Sequence, residues 1–253
     1  MTLAEIEFNG YEVSISEALD RINAGEMLGR QTHVLIKPNL VNAAPHPVTT
    51  PAACCAAVIQ YIKAFANPQI VIGEGCGDAA HETGELFQML GYADLRKRYG
   101  VELVDLNHAP LVRLEHPTCR LFPEMYLPEI ALSHFLISVP VLKAHSLAVM
   151  SGTLKNMIGL APPKYYSGEY GIWKKSLFHH HLHRRITELN RYRTPDMTVM
   201  DASIGLSEYH LGGPACSPPV NTIIAGCNPV EVDRRAASLL KQDWTRIPHL
   251  KNP

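Results

Sequence analysis

The residues from 142 to 163, LKAHSLAVMSGTLKNMIGLAPP, bring several chemically capable side chains together behind an apolar run. That run, FLISVPV (135–141), predicts a buried strand. Six residues of the stretch are candidates for a site: Lys143, His145, Ser151, Gly152, Lys155 and Asn156. The serine and glycine predict a helix start, whose free N–H groups attract anions, and the two lysines add positive charge. The alternative is a capped helix with two solvated lysines.

Lys155 has a further capability that depends on its surroundings. A lysine amine becomes a nucleophile when burial lowers its pKa, and the sequence alone does not show that burial. His145 lies ten residues earlier and can exchange a proton near neutral pH. With His81, from the glycine-rich loop GEGCGDAAHETGELF, these are the predicted catalytic residues. The two histidines would act as an acid–base pair, although His81 also fits an ordinary surface loop.

Further polar residues follow other apolar runs that predict strands. They are Lys37 and Asn39 with HVLIK (33–37), Glu74 after QIVIG (69–73), and Asp201 and Glu208 with MTVMD (197–201). In open parallel sheets, ligands bind beyond the carboxyl ends of the strands. We therefore predict that these residues and Lys143, Ser151, Gly152 and Asn156 bind a substrate or cofactor. Asp201 and Glu208 could hold a cation or a substrate hydroxyl group. Alternatively, Asp201 could be a capping residue and Glu208 an ordinary loop residue.

The elements that must position these residues alternate between strands and helices. VELVD (101–105) and NTIIAG (221–226) complete the apolar runs, most of which lack the polar alternation of half-exposed strands. Helix signals stand between them, including the capping-box spacing of Ser14 and Glu17 and a cap with proline in NPVEVDRRAASLLK. The sequence predicts an α/β fold, with a mostly parallel sheet and helices on both faces.

One domain covering residues 1–253 is expected from this pattern, which has no internal repeat and no low-complexity linker. Two stretches interrupt it. Residues 107–129 are rich in proline and lack a clear period, and residues 161–176 are aromatic and contain glycine. We predict that each is a lid or small excursion from the domain.

Composition narrows the class of protein. Net charge is −1 over 253 residues, which argues against a nucleic-acid binder, although a local positive pocket fits. The N-terminus has no signal-peptide pattern, and no apolar run reaches about 18 residues. We expect a cytoplasmic protein with no membrane partner and a small anionic molecule as its ligand, and we leave a homo-oligomer open.

Metal and redox cofactors leave weaker signals. The six cysteines form no C-x-x-C pair, so a ferredoxin-type iron–sulfur cluster is not expected. FHHHLHRR places His179 and His183 four residues apart, which on one helix would share a face and could bind a divalent metal. A solvated basic face or an anion patch is the favoured alternative. The cofactor and any metal therefore stay unknown.

Several motifs in order resemble the family known as domain of unknown function 362. They are VLIKPNLV, TTP with AVIQYIK, IGEG, ISVPVLKAH with MSGTLKNMIG, and DMTVMDASIGLSE with NTIIAGCNPVEVDRRAASLL. The resemblance runs from about residue 34 to about residue 240. Some members carry an attached ferredoxin-like domain and are described as iron–sulfur proteins. This chain lacks the required cysteine pattern, so the resemblance does not imply that cofactor here.

A weaker similarity is to lactate racemase and its nickel-pincer relatives. Those enzymes have a histidine followed ten residues later by the lysine that holds the cofactor, and His145 and Lys155 have that spacing. AAHETGELFQMLGY is similar to their segment leading to an acid–base histidine and places His81 in that role. Glu82 stands where that family has arginine. The resemblance implies a shared layout of the site and leaves nickel, the pincer cofactor and lactate open.

Two functions from different classes follow. The preferred one is an enzyme that handles a small anionic or carbonyl-containing molecule by proton or hydride transfer, similar to a racemase or an oxidoreductase. The rival is an accessory protein that binds a metal or redox centre without catalysis of its own, through Asp201, Glu208, Cys76 or the histidine-rich segment. A structural or interaction module is disfavoured, because so many charged groups follow the predicted strands.

Overall fold

A computed structural model of the chain describes residues 3–168 and 172–252. Its strands, in chain order, are β1 Leu3–Glu7, β2 His33–Pro38, β3 Gln69–Glu74, β4 Glu102–Asp105, β5 Leu111–Glu115, β6 Glu124–Pro128, β7 Phe135–Val139, β8 Val141–His145, β9 Val149–Ser151, β10 Met197–Leu206 and β11 Thr222–Gly226. Each predicted run contains a strand, whereas β1, β5, β6 and β9 were not predicted, nor was β8 beyond Val141.

The helices alternate with these strands. They are α1 Tyr11–Arg21, α2 Ala24–Leu28, α3 Ala52–Phe65, α4 Thr83–Met89, α5 Tyr92–Tyr99, α6 Glu129–Ser133, α7 Thr153–Asn156, α8 Pro163–Tyr166, α9 Leu182–Tyr192, α10 Pro229–Leu239 and α11 Pro248–Lys251. Short 3₁₀ turns occupy Met157–Leu160, Ser176–His179 and Trp244–Arg246. Within the described ranges, no helix combines the length and the apolar character needed to cross a bilayer.

The main sheet has the order β1-β11-β10-β7-β2-β3-β4. The five strands from β10 to β4 are mutually parallel, whereas β11 runs antiparallel to both β10 and β1. The predicted fold class, a mostly parallel sheet within an α/β protein, is confirmed. All five parallel strands therefore direct their carboxyl ends to the same edge of the sheet, where a ligand is expected.

Two apolar cores lie on opposite faces of this sheet. One contains side chains of α1 to α5, and the other contains side chains of α6 to α11. Successive residues of β2 alternate between them, since Val34 and Ile36 belong to the first core and Leu35 to the second. A strand covered on both faces needs apolar residues at every position, which explains the unbroken apolar runs in the sequence.

The run FLISVPV does not form one strand, because Pro140 divides it. Proline has no N–H group for a sheet ladder, and the chain changes its neighbour there. β7 pairs with β2 and β10, whereas β8 pairs with β10 and β9. The carbonyl of Pro140 still accepts from the backbone N–H of Asp201, at 2.9 Å. This change of neighbour carries Lys143 and His145 out beyond the end of the parallel sheet.

Of the two helix caps predicted from the sequence, the structure has one. Asn228 caps α10 by accepting from the N–H groups of Val230 and Glu231, as the sequence predicts. The capping box at Ser14 is wrong, because α1 begins at Tyr11 and the Ser14 hydroxyl lies inside it, bonded to the preceding loop.

The two predicted excursions contain elements of their own. Residues 107–129 hold the two-stranded β5–β6 sheet and the start of α6. Residues 161–176 hold α8 and the beginning of a 3₁₀ turn, and residues 169–171 of that stretch lie outside the described ranges. A lid function for either stretch stays a prediction.

Candidate active site

A cavity of about 270 Å³ opens at the carboxyl ends of β2, β3 and β8. Five of the predicted site residues line it: Asn39, Glu74, His145, Lys155 and Asn156. A smaller adjoining cavity of about 30 Å³ is lined by three more, Lys143, Ser151 and Gly152. The two cavities share five lining residues: Asn39, Val41, Lys155, Asn156 and His210. The structure thus brings eight of the twelve predicted residues to one place.

Lys155 lies in the last turn of the short helix α7, at the cavity wall. Among the described residues, its amine has neither a hydrogen-bond acceptor nor an ion-pair partner. Burial disfavours the charged form and lowers the pKa of Lys155 to about 8. An unpaired amine that is partly neutral near pH 8 can bind an anion when protonated and attack a carbonyl carbon when neutral.

His145 ends β8 and is held in one tautomer. Its Nδ1 accepts from the backbone N–H groups of Leu147 and Ala148, at 3.0 and 3.1 Å. A ring nitrogen that accepts two hydrogen bonds carries no proton, so in the neutral ring the proton sits on Nε2. Burial and the nearby Lys155 charge lower the pKa of His145 strongly. The imidazole therefore acts as a neutral hydrogen-bond donor toward the cavity.

His210 completes a pair of imidazoles that the sequence did not single out. Its ring stacks on that of His145, with 3.6 Å between centroids and 15° between planes. Burial and the charge of Lys155 lower its pKa to about 3, so this ring is neutral as well. The buried Nδ1 of His210 has no hydrogen-bond partner in the described chain. The available signal was its place in the loop after β10, beside the predicted Glu208.

A buried polar network lies behind the cavity wall. Lys37 Nζ lies 2.9 Å from each carboxylate oxygen of Glu74 and donates to Asn156 Oδ1 at 3.2 Å. The Asn156 amide in turn donates to Ser138 Oγ at 3.0 Å. Lys37 therefore neutralises Glu74 and fixes the ends of β2 and β3 together. A role for Lys37 in holding a ligand directly would require breaking this network.

Lys143 has partners too. Its amine donates to Asn39 Oδ1 at 2.6 Å and to the Val48 carbonyl at 2.7 Å. Burial and then the charge of Lys155 lower its pKa to about 7. Lys143 thus adds positive charge to the site while its donors hold the loop after β2 in place.

At the helix start that follows Ser151 and Gly152, two N–H groups are already bonded to a carboxylate of the protein, which corrects the anion-binding interpretation of that turn. The buried carboxylate of Asp233, from α10, accepts from the N–H groups of Thr153 and Leu154, at 2.6 and 2.9 Å. Any side chain at Gly152 would collide with this carboxylate. Asp233 is thus a buried structural carboxylate, and it fixes the helix that carries Lys155.

Lys175 is a second residue that sequence reasoning missed. Its buried amine contacts the carbonyl of Ala161 and donates to Asn107 Oδ1 at 2.6 Å. Burial lowers its pKa to about 7. It lines the cavity and ties the 161–176 stretch to the end of β4. The sequence indicates only an aromatic, glycine-containing excursion at this position. No local pattern shows that the Lys175 amine is enclosed.

Three other predicted residues lie outside both cavities. His81 is partly exposed, and its Nδ1 lies 3.1 Å from Asp78. Asp201 is fully buried and accepts from Tyr11 and Ser203, at 2.8 and 2.6 Å. Glu208 is exposed at the surface. His145 and Lys155 line the same cavity, whereas His81 does not.

Metal ligands gather elsewhere. Within the described ranges, one group of three residues has ligand atoms within 4.8 Å of one another: Glu82, Asp105 and His108. Lys174 already pairs with Glu82 at 2.8 Å and lowers the pKa of that carboxyl. This ammonium would oppose a divalent cation.

The histidine-rich segment is not a metal site built on one helix face. The spacing argument fails because α9 begins only at Leu182, after His181 adopts a left-handed conformation with φ 53°. His179, in the preceding 3₁₀ turn, lines the main cavity. His183 instead faces His249, with 2.7 Å between their Nδ1 atoms.

Fold and site together define an α/β protein with a ligand-sized cavity at the carboxyl edge of a parallel sheet. The chain belongs to the family described as domain of unknown function (DUF362), whose pattern matches residues 34–238. No curated protein gives a significant sequence match. A crystal structure of a Thermotoga maritima protein, determined by a structural genomics consortium, has a TM-score of 0.54 at 13% identity. The match covers 92% of this chain but only 59% of that one, and it shows the fold alone.

Proposed function

We propose that the protein is an enzyme that binds a small carbonyl-containing anion and moves a proton at the carbon next to the carbonyl. The observation that carries this proposal is the unpaired amine of Lys155 at the cavity wall, near two neutral imidazoles. Lys155 would supply the reacting amine. His145 would donate a hydrogen bond from Nε2, and the His210 imidazole would accept the proton.

The cavity favours an anion because its charges are unbalanced. Lys155 and Lys175 line it, and Lys143 lies beside the smaller cavity. The lining carboxylate, Glu74, is already neutralised by Lys37 at 2.9 Å. An anionic group entering this site meets positive charge in a partly desolvated setting, where electrostatic attraction is stronger than in water.

The proposed reaction balances with groups on this chain. The neutral amine of Lys155 attacks the carbonyl carbon, and the carbonyl oxygen leaves as water after taking up one proton from the attacking nitrogen and one from solvent, which leaves a protonated imine. The positive nitrogen withdraws electrons, so the adjacent C–H bond releases its proton to His210 and the electron pair moves into the C=C bond of an enamine. Reprotonation at that carbon and hydrolysis of the imine return the free amine.

Reductive trapping tests this chemistry directly. The protein would be incubated with glyoxylate, pyruvate and simple aldehydes in the presence of cyanoborohydride, which reduces the imine to a stable amine. We expect one adduct by intact mass, mapped to Lys155 by peptide analysis and lost in Lys155→Ala. Lys63→Ala, at an exposed lysine of α3, is the matched control. Labelling spread over surface lysines and unchanged in Lys155→Ala would contradict the proposal.

The proton-transfer step has its own readout. In D₂O, NMR would follow deuterium entering the carbon next to the carbonyl of pyruvate. We expect His210→Ala to slow this exchange by about 10²-fold or more while trapping at Lys155 continues, because only the base is removed. Full exchange in His210→Ala would remove His210 from the mechanism.

An accessory role in metal binding is the second candidate, and it is favoured by the cluster of Glu82, Asp105 and His108. Elemental analysis of freshly purified protein distinguishes the two. Stoichiometric metal that His108→Ala abolishes, with no adduct at Lys155, would favour the accessory role. Six free cysteine thiols fit the reducing cytoplasm in which either candidate would work.

A further inference from the structure

The cavity carries positive charge in its wall, and two of its four exposed lining residues are large and apolar, the other two being Ser146 and His179. Leu147 and Tyr209 line it and are 54% and 45% exposed. Large apolar side chains exposed together at the rim of a cavity mark a place where a ligand covers them. A ligand with charge alone would leave this rim uncovered.

Aromatic side chains contribute much of this apolar lining. Trp173 and Phe178 line the same cavity as Tyr209, and the stacked rings of His145 and His210 add a flat surface. Aromatic rings associate with one another through stacked or edge contacts that add to their burial. The cavity, at about 270 Å³, lies just below the usual range for drug-sized ligands. It therefore suits one ring rather than a long chain.

We propose that the ligand is a 2-oxo acid carrying a single aromatic ring, with its carboxylate and carbonyl toward Lys155 and its ring against Leu147, Tyr209 and Trp173. This inference rests on the proposed function for the reacting carbonyl, but the ring preference depends on a separate part of the cavity. Leu147, Tyr209 and Trp173 would thus distinguish between 2-oxo acids that react equally well with Lys155.

The test compares phenylpyruvate with pyruvate by titration calorimetry, with cyanoborohydride trapping measured in parallel. Both ligands present the same carboxylate and carbonyl, and they differ in the ring. We expect phenylpyruvate to bind at least about tenfold more tightly, since burying the ring adds apolar area. In the double variant Leu147→Ser, Tyr209→Ser the ratio should fall below about threefold. Val13→Ser, at an apolar residue 61% exposed on α1, should leave the ratio unchanged.

The outcomes separate this inference from the proposed function. Trapping at Lys155 with equal affinity for both ligands would overturn the ring preference and leave the enzyme proposal standing. A strong ring preference with no adduct at Lys155 would support the ligand class and overturn the imine chemistry. A preference that survives the double variant would place the ring elsewhere and overturn the inference. Failure of both ligands to bind would overturn both.

Discussion

At the scale of single residues, the lysines of the site differ in the contacts that their amines make. Lys37, Lys143 and Lys175 each donate to oxygens of neighbouring segments, whereas no such contact from the described part of the chain holds Lys155. Lys155 is partly exposed, but its amine is desolvated enough to lower its pKa, and a desolvated cation without a partner costs stability. Retaining one at a cavity wall is typical of a residue kept for chemistry rather than for folding.

This cost predicts that Lys155→Met stabilises the protein. Folding lowers the pKa of Lys155 from 10.5 to about 8. The folded state therefore binds the proton less well, and the penalty is complete below about pH 8 and disappears as pH rises toward 10.5. We expect Lys155→Met to raise the free energy of unfolding by roughly 1–3 kcal/mol at pH 7. Urea unfolding at pH 7 and pH 10 checks this, and a gain that is equal at both would contradict the titration.

Asp233 provides the opposite case, a buried charge with a structural role. Asp233→Ala leaves the N–H groups of Thr153 and Leu154 without an acceptor, and we expect a loss of about 2–4 kcal/mol. Asp243→Ala removes an exposed cap from the Trp244 turn and is the matched control, expected to cost under about 1 kcal/mol. Thermal unfolding measures both. Equal losses would contradict the expectation that the buried cap at Asp233 stabilises the protein more than the exposed cap at Asp243.

At the scale of elements, the ends of β2 and β3 are joined by a buried ion pair. Removing one partner of such a pair leaves an uncompensated charge, so Lys37→Met should cost about 3–5 kcal/mol. The double variant Lys37→Met, Glu74→Gln should recover part of that loss, because the remaining charge is also removed. A double-mutant cycle by urea unfolding measures the coupling. Purely additive losses would show that the pair does not join these strands.

Some strands and site residues could be predicted from the sequence, and others could not. Unbroken apolar runs predicted the parallel strands, because a strand covered on both faces must be apolar throughout. The alternating burial of β1 was too short to stand out, although it completes the sheet edge. Within the site, residues next to strands were found, including His145 and Lys155. His210 and Lys175 were missed, since their burial depends on loops that only the folded chain brings together.

At the scale of the whole molecule, stability should be graded from the sheet centre outward. β7 lies between β10 and β2, and its side chains belong to both apolar cores. The β5–β6 pair forms a separate two-stranded sheet. Small isolated hairpins are weakly stable by themselves. Hydrogen exchange read by mass spectrometry should therefore show residues 111–128 exchanging well before residues 135–139. Simultaneous exchange of both segments would indicate a single cooperative unit.

The fixed tautomer of His145 has a consequence for how the protein responds to acidity. In the resting protein neither imidazole of the stacked pair is protonated in the physiological range, so this pair adds no charge there, whereas the nearby lysines do titrate. Anion affinity should be level in mildly acidic solution and fall as the lysines lose charge, whereas the reacting amine gains strength over the same interval. These opposing trends would confine turnover to a narrow window close to pH 8, with no separate acidic threshold set by the stacked pair.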